Sequence, residues 1–586
     1  MVYLLIPPLL SLLSFILIRQ LADSPSITDI YIKGVSGSKK EAGAVFFIYL
    51  LKKPPFFAMI HQVMDNEQLT KIRHSLAHLL AMAVLEIDPG AKLGIGPVIE
   101  NGFYYDILTT KPLSNGQLPQ LENKMRAFMK RNPSFIHETA SIEEGKKLFA
   151  SQPFKIELIN DLVSEKKVTE VSTYKTGAFL DLCQGPHVKT TNEIPLDGFK
   201  LTKLAGAYWR GSEKNQMLTR IYGVAFMTKK ELDDYLKMME EAERRDHRKL
   251  GKDLDLFMIS EEVGKGLPLW LPNGMFVRKK LEDYMYQKEM AKGYKHVLTP
   301  VLAHENLYKT SGHLAHYKDD MYNPIDIEGE KYYLKPMNCP HHHMIFRHDM
   351  VSYKDLPLRL AEFGTVHRFE RSGVLTGLIR ARGFTQNDSH IYCTKSQLAK
   401  ELLDVLKLFK EVYKDFDIKD FWYRLSLPDL SNEEKYGDIE DKRMWDESST
   451  IAEDTLKAFK VKYVKQEGEA SFYGPKIDIQ TRNVMGKEDT IATVQLDFYS
   501  PKKFDLYYIN EKGEKEHPVI IHRAIMGSFD RFFAFLVEKH AGIFPLWLAP
   551  VQMHVLPIAK THKKYAKEVL KALTVAGIRA ELKDSN

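Results

Sequence analysis

From Met64 onward the positions of apolar residues follow two periods. In QLTKIRHSLAHLLAMAVLEI, Leu69, Ile72, Leu76, Leu79, Leu80, Ala83, Val84 and Ile87 recur at helical spacing, which predicts an amphipathic helix. The stretch GMFVRKKLEDYMYQKEMAK, from Gly274 to Lys292, has the same period and is closed by Gly293; the short strand YKHVLTP is expected after it, stopping at Pro300. Between them, KKELDDYLKMMEEAERRDHRKL is dense in alternating charge and good helix formers, the signature of a solvated helix joining two domains. Downstream, YYLKPMNCPHHHMIF predicts a strand followed by a turn on which Asn338 and Pro340 hold Cys339. LAEFGTVHRFERSG predicts a strand running into a turn, and GLIRARGFTQNDSHIYC a second strand returning antiparallel. HPVIIHRAIMGSFDRFFAFLVEKH reads as a strand, a break at Gly527 and Ser528, and a helix with Arg531 near its start. From Leu548 the pattern is strand, helix, Gly577 and the beginning of another strand.

The first 63 residues differ. Met1 to Gln20 is an apolar run broken by Pro7 and Pro8, with no basic residue before it and Arg19 near its end. A secretory signal needs a positive leading region and a small-residue cleavage site, and a spanning helix needs about 20 apolar residues without a proline pair. Residues 1–63 therefore read as upstream sequence preceding a natural start at Met64, with a membrane anchor as the alternative. Composition adds bounds. At 586 residues, 44% hydrophobic and 27% charged, the chain is long enough for roughly three or four domains and is neither disordered nor collagen-like. Lys+Arg 83 against Asp+Glu 77 gives +6, which permits a nucleic-acid partner without requiring one. Three scattered cysteines, Cys183, Cys339 and Cys393, exclude a disulfide framework and suit a reducing cytosol, so a cytoplasmic location is expected.

Two groups of residues carry chemistry. His74 and His78 lie one helical turn apart on one face, and Cys183 and His187 flank the helix-breaking Gly185 and Pro186. Converging on one cleft, the two pairs would make either a zinc site or a polar pocket that positions a water for hydrolysis. The second group is Arg368, Glu370, Arg380 and Arg382 on the strand pair, with Arg531 at the start of the last long helix. Guanidinium groups gathered at an apolar strand pair require an anion, and triphosphate matches their bidentate geometry.

The motifs FGTVHRFE, GSFDRF and TPVL resemble motifs 2, 3 and 1 of the class II aminoacyl-tRNA synthetases. Within that class, SGHLAHYKDDMY, KPMNCP, RGFTQNDSHIYC, SFYGPKID, TVQLDF and IHRAIMGS, in this order from Met64 to the end, resemble the threonyl-tRNA synthetases. The resemblance implies an α+β multidomain protein: a class II antiparallel sheet flanked by helices, preceded by an α+β editing domain and followed by part of an α/β anticodon-binding domain. The expected divisions are an unassigned extension at 1–63, an editing domain at 64–228, a linker helix at 229–252, the catalytic domain at 253–547 and the anticodon-domain fragment at 548–586. The implied reaction activates threonine with ATP, accompanied by Mg²⁺, and transfers it to tRNA(Thr), with editing of mischarged seryl-tRNA by His74, His78, Cys183 and His187. The implied partners are threonine, ATP and tRNA(Thr), with a homodimer formed through the catalytic domain and no membrane.

The resemblance also implies residue roles. One zinc ion per subunit is held by Cys339, His390 and His522, a triad that spacing alone does not reveal. Arg368 holds the α-phosphate, Glu370 contacts the adenine side, Arg380 and Arg531 hold the outer phosphates, and Lys476 joins Arg368 and Arg531 in the catalytic set. Threonine is held by Gln386, Asp388, Tyr473 and Gln495. Such a metal answers a selectivity problem, because an apolar pocket separates threonine from valine by only about 10²-fold. Serine shares the amino and hydroxyl groups and would pass, so a separate editing site is needed. The family often has Gly after Cys-Pro where this chain has His341, His342 and His343, expected to be surface groups or to lie behind the ligands. The closing segment reads as ending within the anticodon-binding domain, and the ubiquitin-like domain usual at the family's N-terminus has no counterpart here; weak tRNA charging is the corresponding expectation. Two other readings stand beside this one: a synthetase-like regulator without catalysis, and a metal-dependent hydrolase built around the first His/Cys cluster.

Overall fold

The structure, a computed structural model, describes residues 54–432, 436 and 442–583. The apolar run at Met1–Gln20 lies outside the described residues, and among those described no helix is long and apolar enough to cross a membrane. The chain divides into two compact units, Met1–Leu236 and Lys237–Asn586.

In the first unit, helix α1 (Pro54–Ile87) packs the apolar stripe read from the sequence into a core: Ile72, Leu76, Leu79, Leu80, Ala83 and Val84 are all fully buried. They meet strand β1 (Gly102–Leu108) and helix α2 (Leu118–Lys130). A three-stranded antiparallel sheet follows, made of β2 (Phe135–Ser141), β3 (Glu170–Thr176) and β4 (Phe179–Leu182), with α3 (Pro153–Lys166) inserted between β2 and β3. Strands β5 (Phe199–Tyr208) and β6 (Met217–Ala225) then complete a five-stranded sheet with β1 and two short strands. The charged segment after β6 forms two helices rather than one: α4 (Lys229–Arg245) and α5 (His247–Asp253), separated where the Asp246 carboxylate accepts the Arg248 N–H as an N-cap. The division between units falls inside α4.

The second unit is organised by an eight-stranded sheet. Helix α6 (Pro272–Ala291) precedes β7 (Lys295–His296), a strand of two residues where a longer one was expected. Helix α7 (Cys339–Phe346) comes next, then β8 (Leu358–His367), β9 (Gly383–Cys393) and the long helix α8 (Lys395–Asp415). Strands β10 (Phe421–Leu427), β11 (Tyr463–Glu467), β12 (Lys476–Arg482), β13 (Glu488–Asp497) and β14 (Val519–Ser528) follow, and helix α9 (Phe529–His540) closes the layer. The spatial order is β7-β8-β9-β14-β13-β12-β10-β11, antiparallel except for the outermost pairings β7–β8 and β10–β11. Helices α6, α8 and α9 cover one face through Val277, Leu281, Leu402, Leu406, Phe409, Phe529 and Phe533. This is the antiparallel sheet with flanking helices that the sequence motifs imply. Beyond it, β15 (Met553–Val555) and β16 (Ala580–Leu582) pair in parallel across helix α10 (Lys563–Val575).

Two local readings are corrected. Cys339 is not on a turn but opens helix α7, because Pro340 in the first turn has no N–H to lose there and its fixed φ suits a helix start. Strand β8 ends at His367 and β9 starts only at Gly383, so Arg368, Glu370, Arg380 and Arg382 all lie on the connecting loop and not on a strand.

Candidate active site

Sheet register assembles the second unit's site. Lys476 on β12 is opposite Gln495 on β13, Gln495 is opposite His522 on β14, and His522 is opposite His390 on β9. These four residues form one row across the sheet, and the two-residue period places Asp388 and Asp497 on the same face. Cys339, arriving from α7, completes a triad whose donor atoms with His390 and His522 all lie within 4.8 Å of one another. All three side chains are buried. A cavity of about 940 Å³ opens over this row, lined among others by Cys339, Arg368, Gln386, Asp388, Tyr473 and Gln495.

The electrostatics of the triad suit a cation. Burial holds His390 well below the usual imidazole range, with repulsion from His522 adding to it, so the ring is neutral and offers a lone pair. Burial pushes the Cys339 thiol far up, and Asp388 and Asp497 push it further, so a thiolate there needs a positive partner. Asp497, fully buried, accepts the His522 Nε2–H at 2.8 Å, which leaves Nδ1 to face the triad. The donor set of one thiol and two oriented imidazoles therefore fits zinc with room for substrate.

Around the cavity, Asp388 accepts a hydrogen bond from Asn338 Nδ2 at 2.9 Å, and the Tyr473 hydroxyl donates to Gln495 Oε1. Gly364 permits the first of these, since a Cβ there would lie 2.2 Å from Asn338 Oδ1. Arg368 donates to the Pro336 carbonyl at 3.3 Å and lies over the Phe384 ring. Arg531, beside the Ser528 cap, donates to the carbonyls of Ile379 and Thr490. Its pKa is lowered, by desolvation first, with repulsion from Arg368 and Arg380 adding to it against the pull of Asp489 and Glu370. Glu370 pairs with Arg380 at 2.9 Å, and its carbonyl accepts from Arg382. Lys476 lies 3.4 Å from Asp478. Glu370, Arg380, Arg531 and Lys476 do not line the cavity itself.

His341, His342 and His343 are all buried, not on the surface. His342 Nδ1 lies 2.7 Å from His390 Nδ1, and His343 Nδ1 lies 2.9 Å from the Tyr392 hydroxyl.

In the first unit, His74, His78, Cys183 and His187 come together with donor atoms within 4.8 Å of one another. Helix α1 supplies the two histidines one turn apart, and the loop after β4 supplies the others. Cys183 Sγ is 3.2 Å from His74 Nε2 and 3.3 Å from His187 Nε2. His74 Nδ1 donates to the Pro186 carbonyl at 3.2 Å, which leaves its Nε2 as an acceptor. Burial pushes the thiol of Cys183 up to about 11, so it is uncharged at neutral pH. Burial holds His78 well below its usual range, and His78 Nδ1 has no partner. Behind these groups lies a buried set that no spacing rule reveals: Asp181 takes the Lys155 ammonium, accepts from the Tyr105 hydroxyl at 2.5 Å and faces His78 Nε2 at 3.5 Å. Only the closeness of Asp181 to Cys183 in the sequence hinted at it. A third group, Asp246, His247 and Glu538, is a strut, because both His247 nitrogens are engaged, by Glu538 at 2.7 Å and the Leu378 N–H at 3.2 Å.

Comparison with known proteins gives the family. Residues 320–540 match the tRNA synthetase class II core domain (G, H, P, S and T), and residues 171–222 match the threonyl and alanyl tRNA synthetase second additional domain. The chain is 50% identical over 519 residues to the threonine–tRNA ligase of Anoxybacillus flavithermus, covering 88% of this chain and 80% of that one. It is 47% identical over 523 residues to that of Halalkalibacterium halodurans, with the same coverage. Among solved structures it resembles the RNA binding domain of the threonyl-tRNA synthetase of Cryptosporidium parvum Iowa II, at 36% identity and TM-score 0.54, covering 58% of this chain and 83% of that one.

Proposed function

Because the chain belongs to the threonyl-tRNA synthetase family and is a threonine–tRNA ligase, we propose that Cys339, His390 and His522 hold its one zinc ion and that the cavity above them binds threonine and the α-phosphate of ATP, the rest of which extends beyond it toward Glu370, Arg380 and Arg531. The observation that carries this reading is the row of sheet partners that sets His390 beside His522, under Cys339 and next to Asp388 and Tyr473. When bound there, zinc supplies coordination positions for the amino and hydroxyl groups of threonine, which valine cannot fill.

The chain's own residues do the rest. Asp388, with Gln386, Tyr473 and Gln495, orients threonine, the carboxylate facing its ammonium group. Arg368 holds the α-phosphate, while Arg380 and Arg531 neutralise the outer phosphates of ATP, with Mg²⁺ sharing that charge. Glu370, now paired with Arg380, turns to the adenine when ATP enters, and Lys476 adds positive charge at the reacting end of the row. The threonine carboxylate attacks the α-phosphorus in line, diphosphate leaves, and the terminal adenosine of tRNA(Thr) then attacks the threonyl carbonyl and releases AMP. No protein nucleophile is used.

In the first unit His74, His78, Cys183 and His187 form the editing site, backed by Lys155, Asp181 and Tyr105. A neutral imidazole accepts a proton from water, which attacks the ester of seryl-tRNA and frees serine. Exposed Leu298, Val301 and Leu302 beyond β7 support pairing of the second unit with another copy, measurable by light scattering. Three free cysteines favour the cytoplasm. Metal analysis of Cys339→Ser is the direct test: loss of zinc, together with loss of threonine-dependent diphosphate exchange, is expected, and a full complement of zinc in that variant overturns the assignment.

A further inference from the structure

Behind His390 lies a buried chain of polar groups that does not line the cavity. His342 Nδ1 is 2.7 Å from His390 Nδ1, and His342 Nε2 is 3.0 Å from Glu362 Oε2. Glu362 Oε1 receives the Lys335 ammonium at 3.2 Å and the Thr299 N–H at 2.9 Å, and Lys335 also donates to Thr299 Oγ1 at 2.8 Å. Lys335, His342, Glu362 and His390 are each no more than 1% exposed. Burial opposes ionisation of Glu362, yet the hydrogen bonds from His342 and the Thr299 N–H and the charge of Lys335 prevail and hold its carboxyl at about 2.

The direction of each proton follows from the donor and acceptor inventory. A carboxylate only accepts, so a neutral His342 carries its proton on Nε2 and presents a bare Nδ1. A bare Nδ1 only accepts, so His390 must carry its proton on Nδ1. The Nε2 lone pair of His390 is then the one left for the triad, and the same logic at His522, through Asp497, leaves Nδ1.

We propose that His342 is a positioning residue that fixes the ligating tautomer and ring orientation of His390, with Glu362 and Lys335 as its anchor. The proposal rests on the zinc reading given above. It gives a purpose to a buried ion pair whose isolated energetic value would be small, because burying both charges costs about as much as their attraction returns. His342 neither touches substrate nor ligates, and acts only through His390.

The test uses the full chain and zinc itself. His342→Phe keeps volume and burial while removing both ring nitrogens. Its zinc dissociation constant, measured by chelator competition, is expected to rise about 10–100-fold, the range typical of losing such a partner of a ligand. Tetrahedral d–d bands of the cobalt-substituted protein are expected to shift. His342→Gln, whose amide both donates and accepts, is expected to restore part of the affinity. In the paired variant Lys335→Met/Glu362→Leu, which leaves no buried unpaired charge, His342 Nε2 has no acceptor, nothing holds the proton order, and zinc is expected to weaken by a similar factor. Zinc affinity and cobalt spectrum unchanged in a folded His342→Phe overturn the proposal. If that variant does not fold, unchanged affinity in the paired variant does the same. Absence of stoichiometric zinc from the unaltered protein overturns the metal reading and this one with it, so the two failures are told apart.

Discussion

Asp181→Asn separates the structural from the chemical role of the group behind the first unit's site. Asp181 and Lys155 are each 2% exposed and Tyr105 is fully buried, so water does not screen the interactions among them. Asparagine has nearly the same shape and still accepts from the Tyr105 hydroxyl, but the negative charge is gone and the Lys155 ammonium is left with neutral partners only. Removing one partner of a buried ion pair costs about 3–5 kcal/mol. At about 1.4 kcal/mol per tenfold, that corresponds to roughly a hundredfold to a few thousandfold faster amide exchange in peptides from β1, α3 and β4, read by hydrogen-exchange mass spectrometry of the full chain. Adding Lys155→Met removes the stranded charge, so exchange in the double variant is expected to return to within about tenfold of the unaltered protein, because a buried pair and its apolar replacement are nearly equivalent. Deacylation of seryl-tRNA is expected to stay impaired in both. Exchange unchanged in Asp181→Asn, or equally fast in the single and double variants, would refute the reasoning from an uncompensated buried charge.

Three further outcomes are expected. Gly364→Ala places a Cβ against Asn338 and displaces the amide that holds Asp388, so the KM for threonine should rise about tenfold or more, the cost of a hydrogen bond to a charged group, with the KM for ATP little changed. Arg531→Ala removes charge-assisted contacts to phosphate worth about 1.5–3 kcal/mol, and threonine-dependent diphosphate exchange should fall about 10–150-fold; an unchanged rate would place the outer phosphates elsewhere. Alkylation of Cys183 by iodoacetamide should be slow at pH 7.5 and accelerate as the pH approaches 11, because only the thiolate reacts and burial has raised the thiol to about 11; rapid labelling at neutral pH, located by mass spectrometry, would contradict that environment.

Much of the local structure was legible in the chain. The stripe from Leu69 to Ile87 gave α1, Gly293 marked the end of α6 within two residues, and Ser528 gave the start of α9. Local energetics set these features, since side-chain period and capping act over a few residues. The extent of strands was less legible. β7 is shorter than its apolar run, and the arginine-rich loop before β9 reads as strand although its pairing ends at Gly383, because a strand exists only where a neighbour supplies hydrogen bonds.

The same division runs through the sites. Motif order by itself determined the family, the threonine–tRNA ligase activity and which residues were candidates, and the i, i+4 spacing of His74 and His78 put both on one helix face. That His390, His522 and Cys339 meet was implied by the resemblance and is seen in the tertiary structure, which alone decided that His341, His342 and His343 are interior and that Lys155 and Tyr105 stand behind the first cluster. The reason is physical. Spacing along a chain fixes direction within one element, whereas the meeting of residues from different elements is set by strand register and by which faces are buried, and neither is a property of any short stretch of sequence.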